Sequence, residues 1–338
     1  MTRDARHNPI IDVALLRLLL DAHGEPMALA ALAQARGLDE PTVRAELDRL
    51  RQAGCRLDAH PVHGVRLSGA SIATWRDALE AQGRPGRAVA VYERTASTQH
   101  AARQLAQAHG RRADDALAVA GHQTAGRGRL GRAWLTPASS AVTFSRVRCL
   151  DAGDASAVER LTFASAVAVA EAVEPILAPG TSVSLKWPND VCVGTRKLAG
   201  ILVETVAHDD ASRAAIIGVG VNVSLTPAQV PAELAPRITS LAMLGTPVDR
   251  LAVLLAVDAA LDDALHHRPL HELLEQWRYR CNMLHQQVTL VADGRTVQGQ
   301  VVDLDPHAGL ILRSVSGELM HLPSATTSVT AAGEAGPG

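Results

Sequence analysis

Gln123-Thr124-Ala125-Gly126-Arg127-Gly128-Arg129-Leu130-Gly131-Arg132-Ala133-Trp134 is the stretch on which the fold turns. Its glycines at 126, 128 and 131 spell G-x-G-x-x-G, the fingerprint of a dinucleotide-binding turn. That turn needs a strand before it and a helix after it, so that a pyrophosphate meets a helix N-terminus. Residues 116–120 supply the strand, but the helix is missing. Trp134-Leu135-Thr136-Pro137-Ala138-Ser139-Ser140 carries a proline and turn formers, and Val142-Thr143-Phe144 reads as another strand. The positions between and after the glycines also hold Arg127, Arg129 and Arg132, where a dinucleotide turn relies on backbone amides.

Three guanidiniums among permissive glycines repel one another when empty and order around a polyanion. Their planar forks match phosphate oxygens in charge-assisted hydrogen bonds, and Trp134 adds an aromatic face suited to a base. We read this as a phosphate-handling loop. A second segment stands out by its charge chemistry. Of 33 basic residues, all are arginine except Lys186 and Lys197. These lie in Leu185-Lys186-Trp187-Pro188-Asn189-Asp190 and Arg196-Lys197-Leu198-Ala199-Gly200. Lysine is a compact charge with three rotatable donors, arginine a planar fork. Two amines kept in one short stretch mark a site that needs the compact group; the competing reading is codon bias with two survivors.

Taken together, these segments resemble the biotin–protein ligase family. The Gly-Arg-Gly-Arg-Leu-Gly-Arg-Ala-Trp run is similar to its biotinyl-adenylate loop. Lys186-Trp187-Pro188-Asn189-Asp190 and the run from Arg196 to Glu204 resemble its next two blocks, and Gly218-Val219-Gly220-Val221-Asn222-Val223 its fourth. Ser97-Thr98-Gln99 resembles a Ser-Thr-Asn triplet, with Gln lengthening the last side chain.

The resemblance implies a class II synthetase-like catalytic domain that uses biotin, ATP and Mg2+. Biotin is activated as biotinyl-5'-AMP and passed to a lysine of a biotin carboxyl carrier protein. Carried over position by position, the ligase roles fall as follows. Ser97, Thr98 and Gln123 hold the ureido ring, and Gln99, Gly126, Arg127, Gly128, Arg129 and Lys197 line the rest of the biotin site. Gly200 and Gly218 allow close backbone approach. Arg127, Arg129, Arg132, Trp134, Asn189, Asp190 and Asn222 serve the nucleotide. Lys197, Arg129 and Asp190 are the catalytic candidates, and Asp190 holds the metal or positions the acceptor amine. Simpler roles stand beside these: Ser97 and Thr98 as a helix cap, Trp187 as core, and Asn222 as a strand end. His271-Glu272-Leu273-Leu274-Glu275 fails H-E-x-x-H at its last position, which argues against zinc.

At 338 residues the chain has room for two or three domains. Its net charge of −2 gives no chain-wide attraction to nucleic acid or anionic membrane. Cys55, Cys149, Cys192 and Cys281 have no C-x-x-C spacing and read as free thiols in a reducing cytoplasm. No apolar run is long enough to span a bilayer, and the first, over 10–20, contains Asp12 and Arg17 and is no signal peptide. We see no internal repeats.

The expected fold is α+β in three domains. Residues 1–70 read as helix, helix, turn, helix and hairpin, a winged helix-turn-helix, with Gly37 ending the second helix and Asp39 capping the third. Residues 71–86 read as a linker, 87–283 as a mixed-sheet ligase domain, 284–330 as a small SH3-like β-barrel and 331–338 as a disordered tail. Bifunctional members of the family also repress transcription as adenylate-bound homodimers on operator DNA. Arg44, Arg49, Arg51 and Arg66 are the candidate DNA contacts, although the recognition helix opens on the acidic Asp39-Glu40-Pro41. Two other readings are a lipoate–protein ligase and a DNA-binding regulator whose ligase core serves as a sensor.

Overall fold

The computed structural model describes residues 11–60, 62–83, 85–135, 137–151, 156–207 and 213–332, with 330–332 described by backbone alone. It opens with α1 (Val13–Asp21), α2 (Leu29–Arg36) and α3 (Glu40–Gln52). Gly37 ends α2 at φ 63°, a conformation that strains any residue with a Cβ. Asp39 accepts the Thr42 N–H at the start of α3. Leu15, Leu19, Leu32, Val43, Leu47 and Leu50 pack into one core. An antiparallel hairpin of β1 (Arg56–His60) and β2 (Gly64–Gly69) follows, so the order of elements matches the sequence reading.

The expected linker is instead folded. After a 3-10 turn at Ile72–Thr74 comes α4 (Trp75–Gln82), in which Trp75 and Leu79 are 1% and 0% exposed. Gly83, Pro85 and Gly86 terminate this helix; they do not mark a free segment. The apolar residues Trp75, Ala78 and Leu79 stand at i, i+3 and i+4 and form one buried stripe.

The central sheet holds β3 (Val89–Tyr92), β4 (Leu117–Ala120), β5 (Ala141–Leu150), β6 (Val183–Lys186), β7 (Asp190–Val193), β8 (Arg196–Ala207) and β9 (Arg213–Asn222). Their order is β3-β4-β5-β9-β8-β7-β6, with only β3 and β4 parallel. This is a mixed α+β sheet. Adjacent residues of β5 show what covers each face. Ser145 Oγ donates to Thr98 Oγ1 at 2.8 Å on α5 (Thr98–His109), whereas Arg146 reaches Asp262 at 2.6 Å on α7 (Arg250–His266). The α5 face is packed with small side chains, among them Ala102, Ala106 and Ala118 with Val147 and Ile216. The opposite face carries α6 (Ala157–Val173) and α7, with α8 (Leu270–Arg280) set against α6 through an edge-on Phe163–Trp277 pair at 5.2 Å.

A charged cluster lies inside that second face. Arg87, just before β3, forks onto Asp258 at 2.9 and 2.8 Å, and the 0%-exposed Arg146 guanidinium meets Asp115, Asp258 and Asp262. His266 Nε2 is 2.9 Å from Asp115. Burial alone would raise the Asp115 carboxyl; Arg146 and His266 outweigh it and hold the group below the usual carboxylate range.

The chain ends in one antiparallel sheet of β10 (Gln287–Ala292), β11 (Arg295–Asp305), β12 (Gly309–Ser314), β13 (Leu319–Leu322) and β14 (Thr327–Ala332), ordered β13-β12-β11-β10-β14. Asp293 and Gly294, at φ 49° and 77°, form the tight β10–β11 turn that their sequence demands. β14 runs into the stretch expected as a tail; residues 333–338 lie outside the described residues. Among the described residues no helix is long and apolar enough to cross a membrane, and the four cysteines are free thiols.

Candidate active site

A cavity of about 440 Å³ opens over β8 and β9, between the 123–134 loop, the β7–β8 hairpin and β14. The loop is a compact hairpin. Gly128 N–H donates to Arg132 O at 2.7 Å and Trp134 N–H to Gly126 O at 2.9 Å, around a 3-10 turn at Arg129–Gly131. Leu130 sits at its tip with φ 53° and is 55% exposed. Arg127 Nη2 lies 2.9 Å from Glu204 Oε1. Arg129 reaches across the cavity to Asn189 Oδ1 at 3.4 Å, to Thr327 O at 3.0 Å, and to Ser324 O. Burial lowers the pKa of its guanidinium, a shift that the nearby carboxylates of Asp190 and Glu159 only partly offset.

The second segment supplies the opposite wall. β7 and β8 pair as the sequence pattern suggested, with a register shift between Val191 and Cys192 that sets Asp190 opposite Gly200 and Cys192 opposite Lys197. Lys197 Nζ stands 2.5 Å from Asp190 Oδ1 and 5.3 Å from the centre of the Trp134 ring. Lys186 pairs with Asp190 across β6–β7 and also borders the cavity. Burial, with the Asp190 charge adding to it, pushes the Cys192 thiol up to about 12, so it stays uncharged near neutrality.

Three glycines make room for these side chains. A Cβ on Gly220 would stand 2.6 Å from the Trp134 ring, and one on Gly200 would stand 2.9 Å from Lys197 Nζ. One on Gly218 would stand 3.0 Å from the Gln99 amide. Gly200 and Gly218, expected to admit the ligand, thus first admit protein side chains.

The far end of the cavity is neutral and polar. Ser97, Thr98, Gln99 and Gln123 line it. Thr98 donates through both its N–H and its Oγ1 to Gln123 Oε1, at 2.7 and 3.1 Å, which locks that pair together. Cations border the rest, Arg129, Arg132, Lys186, Lys197 and Arg237, with Arg127 held on the Gln99 side through Glu204, against Asp190 as the one carboxylate among the described lining residues.

Of the positions singled out from sequence, Gly126 and Asn222 do not line the cavity. Asn222 ends β9 and donates its Nδ2 to Thr239 O at 2.9 Å, a tie at the strand end. Asn189 is also engaged by protein, donating to Ile201 O at 2.6 Å. Sequence reading missed Thr143 on β5, Arg237 and Ile238 before α7, and Ser328 and Val329 on β14. Of these, Ile238 comes to the site by bridging Lys197, a pairing with no local sequence signal.

The candidate DNA contacts lie elsewhere, exposed on α3 and β2. Each faces an acid: Arg44 with Glu40 at 3.6 Å, Arg49 with Glu46, Arg51 with Asp48 at 2.7 Å, and Arg66 with Asp58 at 3.0 Å.

Comparison with known proteins agrees with this geometry. Residues 91–222 match the model of the biotin/lipoate A/B protein ligase family. The chain is 30% identical over 314 residues to the bifunctional ligase/repressor BirA of Bacillus subtilis, covering 90% of this chain and 94% of that one. It is 35% identical over 263 residues to the biotin–[acetyl-CoA-carboxylase] ligase of Mycobacterium tuberculosis, covering 73% and 94%. The biotin protein ligase of Aquifex aeolicus, solved with biotin and ATP, superposes with a TM-score of 0.60 at 27% identity, over 72% of this chain and 98% of that one. The chain belongs to the biotin/lipoate A/B protein ligase family, and within it to the biotin protein ligases.

Proposed function

We propose that this protein joins biotin to a carrier protein in two steps. A carboxylate oxygen of biotin attacks the α-phosphorus of ATP; the bond from that phosphorus to the oxygen bridging the β-phosphate breaks, and pyrophosphate leaves. The amine of a carrier lysine then attacks the acyl carbon of biotinyl-5'-AMP, loses a proton, and forms an amide as AMP departs. One observation carries the reading: a single cavity lined by two sets of side chains, the neutral hydrogen-bonding Ser97, Thr98, Gln99 and Gln123 and the cationic Arg129, Arg132, Lys186 and Lys197. A neutral ring fits the first set, and a carboxylate with a triphosphate fits the second.

Lys197 bridges the biotin carboxylate and the α-phosphate, while Arg127, Arg129 and Arg132 hold the phosphates and Trp134 flanks the nucleotide. Cations set in place before reaction are the main need where charge gathers. The folded loop keeps water from the anhydride. Asp190 aligns the Lys197 amine, to which it is already paired. A lone, ion-paired carboxylate is a poor resident magnesium site, so we assign Mg2+ to the nucleotide substrate, whose phosphates suit it. The polar ring end favours biotin over the apolar dithiolane of lipoate.

We read residues 1–70 as a winged helix-turn-helix, 71–86 as a connector that packs with the ligase body, 87–283 as the catalytic domain and 284–332 as an SH3-like domain. An operator-binding, adenylate-dependent homodimer in the cytoplasm is the regulatory form of this reading. It is supported by the order of α1–α3 and the hairpin and by the name of the B. subtilis relative. The carrier we assign is the biotin carboxyl carrier protein of acetyl-CoA carboxylase. The test is incubation with biotin, magnesium-ATP and that carrier domain, which should yield pyrophosphate and covalently biotinylated carrier. Transfer of lipoate but not biotin would overturn the reading.

A further inference from the structure

Glu159 stands in the first turn of α6, where a carboxylate ordinarily balances the helix dipole. Here it is 7% exposed, and its Oε1 accepts two hydrogen bonds from a residue 165 positions away. These come from the Ser324 N–H at 2.6 Å and the Ser324 Oγ–H at 2.7 Å. Ser324, 4% exposed, opens the turn between β13 and β14. Its carbonyl, together with that of Thr327, accepts from Arg129 Nη2. Ser328 and Val329, the next two residues, border the cavity.

One serine is thus held from two sides. A carboxylate only accepts and a guanidinium only donates. Ser324 turns its donors to Glu159 on α6 and its acceptor to Arg129 in the 123–134 loop. The two carbonyls on Nη2, with Asn189 Oδ1 on Nη1, fix the plane of the guanidinium and leave it donors for a phosphate. Burial lowers the pKa of this guanidinium; after Asp190, Glu159 is the carboxylate that opposes it most.

We propose that Glu159 is a positioning residue for the adenylate loop: it seats the β13–β14 turn on α6, and the carbonyls of that turn set Arg129 over the cavity. Ligase body, phosphate loop and C-terminal sheet meet in this one clasp. The assignment rests on the proposed biotinyl-5'-AMP chemistry and adds to it what places a phosphate-binding arginine.

The experiment is a mutant cycle on the full chain. It reads the rate at which labelled biotinyl-5'-AMP, formed in place, leaves the protein during a chase with unlabelled adenylate. Glu159→Gln keeps the size of the side chain and loses its charge, and should speed release several-fold. Glu159→Ala should approach a change of about tenfold, that of one charge-assisted hydrogen bond. In an Arg129→Gly background no guanidinium remains to be placed, so neither substitution should change release by more than about twofold. Equal acceleration in both backgrounds would mark Glu159 as a merely structural residue and overturn the proposal. An unchanged rate in the wild-type background would overturn it as well. A wild-type protein that forms no biotinyl-5'-AMP would instead sink the reading beneath it. Should Glu159→Ala fail to fold, Glu159→Gln and Ser324→Ala, which deletes only a hydroxyl, complete the same cycle.

Discussion

Arginine occurs in two concentrations in this molecule, and they meet opposite fates. On α3, Arg44, Arg49 and Arg51 each have an acid three or four residues away. On a helix that spacing puts acid and base on one face, where they consume each other. The 123–134 loop contains no acid, so its guanidiniums must find partners elsewhere: Glu204 for Arg127, and the carbonyls of Ser324 and Thr327 for Arg129. What makes a cation available to a phosphate is the spacing of carboxylates around it, more than the number of cations.

The comparison breaks most completely if one region is removed. A chain beginning at Arg87 loses α3 but also α4, and with it Trp75 and Leu79 from the shared core. Burying such side chains stabilises by about 1.5–3 kcal/mol each, so this form should lose roughly 3–6 kcal/mol and melt well below wild type. A chain beginning at Ser71 keeps the helix, gives up only the packing of α1 on α4 and α7, and should melt above the Arg87 form and retain ligation. Equal melting of the two forms would show that α4 is dispensable.

Within the cavity, Lys197→Arg keeps the charge but not the shape. Lys197 fits between Asp190, Gly200 and the Trp134 ring, and a planar fork does not. Pyrophosphate exchange should fall by about 10²–10³, the cost of losing one group aimed at developing charge. Activity within a few-fold of wild type would return Lys197 to the accidents of composition.

Arg129→Gly should act more on holding the adenylate than on making it. Lys197 remains to support the first step, while the tie from the loop to Asn189 and the C-terminal sheet is gone. Release of biotinyl-5'-AMP should rise about tenfold, as expected for loss of a charge-assisted hydrogen bond. Biotin should then appear on unrelated proteins in the mixture. Parallel loss of synthesis and retention would erase this division of roles.

The smallest effect tests the other side of the comparison. Replacing Glu40, Glu46 and Asp48 by their amides frees three arginines on α3. Non-specific duplex binding should tighten, and its salt slope should steepen by up to about 0.9 for each phosphate newly neutralised. An unchanged slope would mean that α3 does not face the duplex.

The blocks that carry chemistry were legible because they are local. The glycine–arginine loop, the Lys197–Asp190 hairpin and the Ser97-Thr98-Gln99 triplet each sit within one element or one turn, and all border the cavity. What stayed hidden depends on distant chain. Nothing near Ser328 or Ile238 announces that either will reach a site built around Lys197. Asn222, in a glycine-rich strand end beside the site, stands outside the cavity lining, and its tie to Thr239 is visible only in three dimensions. Residues 71–86 misled for a different reason. The glycines and proline dominated the reading, whereas the buried stripe of Trp75, Ala78 and Leu79 spans little more than one turn, too short to show a period.

The buried cluster around Asp258 bears on how this chain tolerates exchange with its relatives. Asp258 answers two guanidiniums, Arg87 at the entrance to β3 and Arg146 in the middle of β5. Changing Asp258 alone strands Arg87 and removes one of three carboxylates around Arg146, and losing one member of such a group costs about 3–5 kcal/mol. These positions are therefore energetically coupled. A chimera that grafts another protein's N-terminal segment, through the entrance to β3, onto this body would fail at that junction, far from the cavity, unless the graft brings an arginine to meet Asp258.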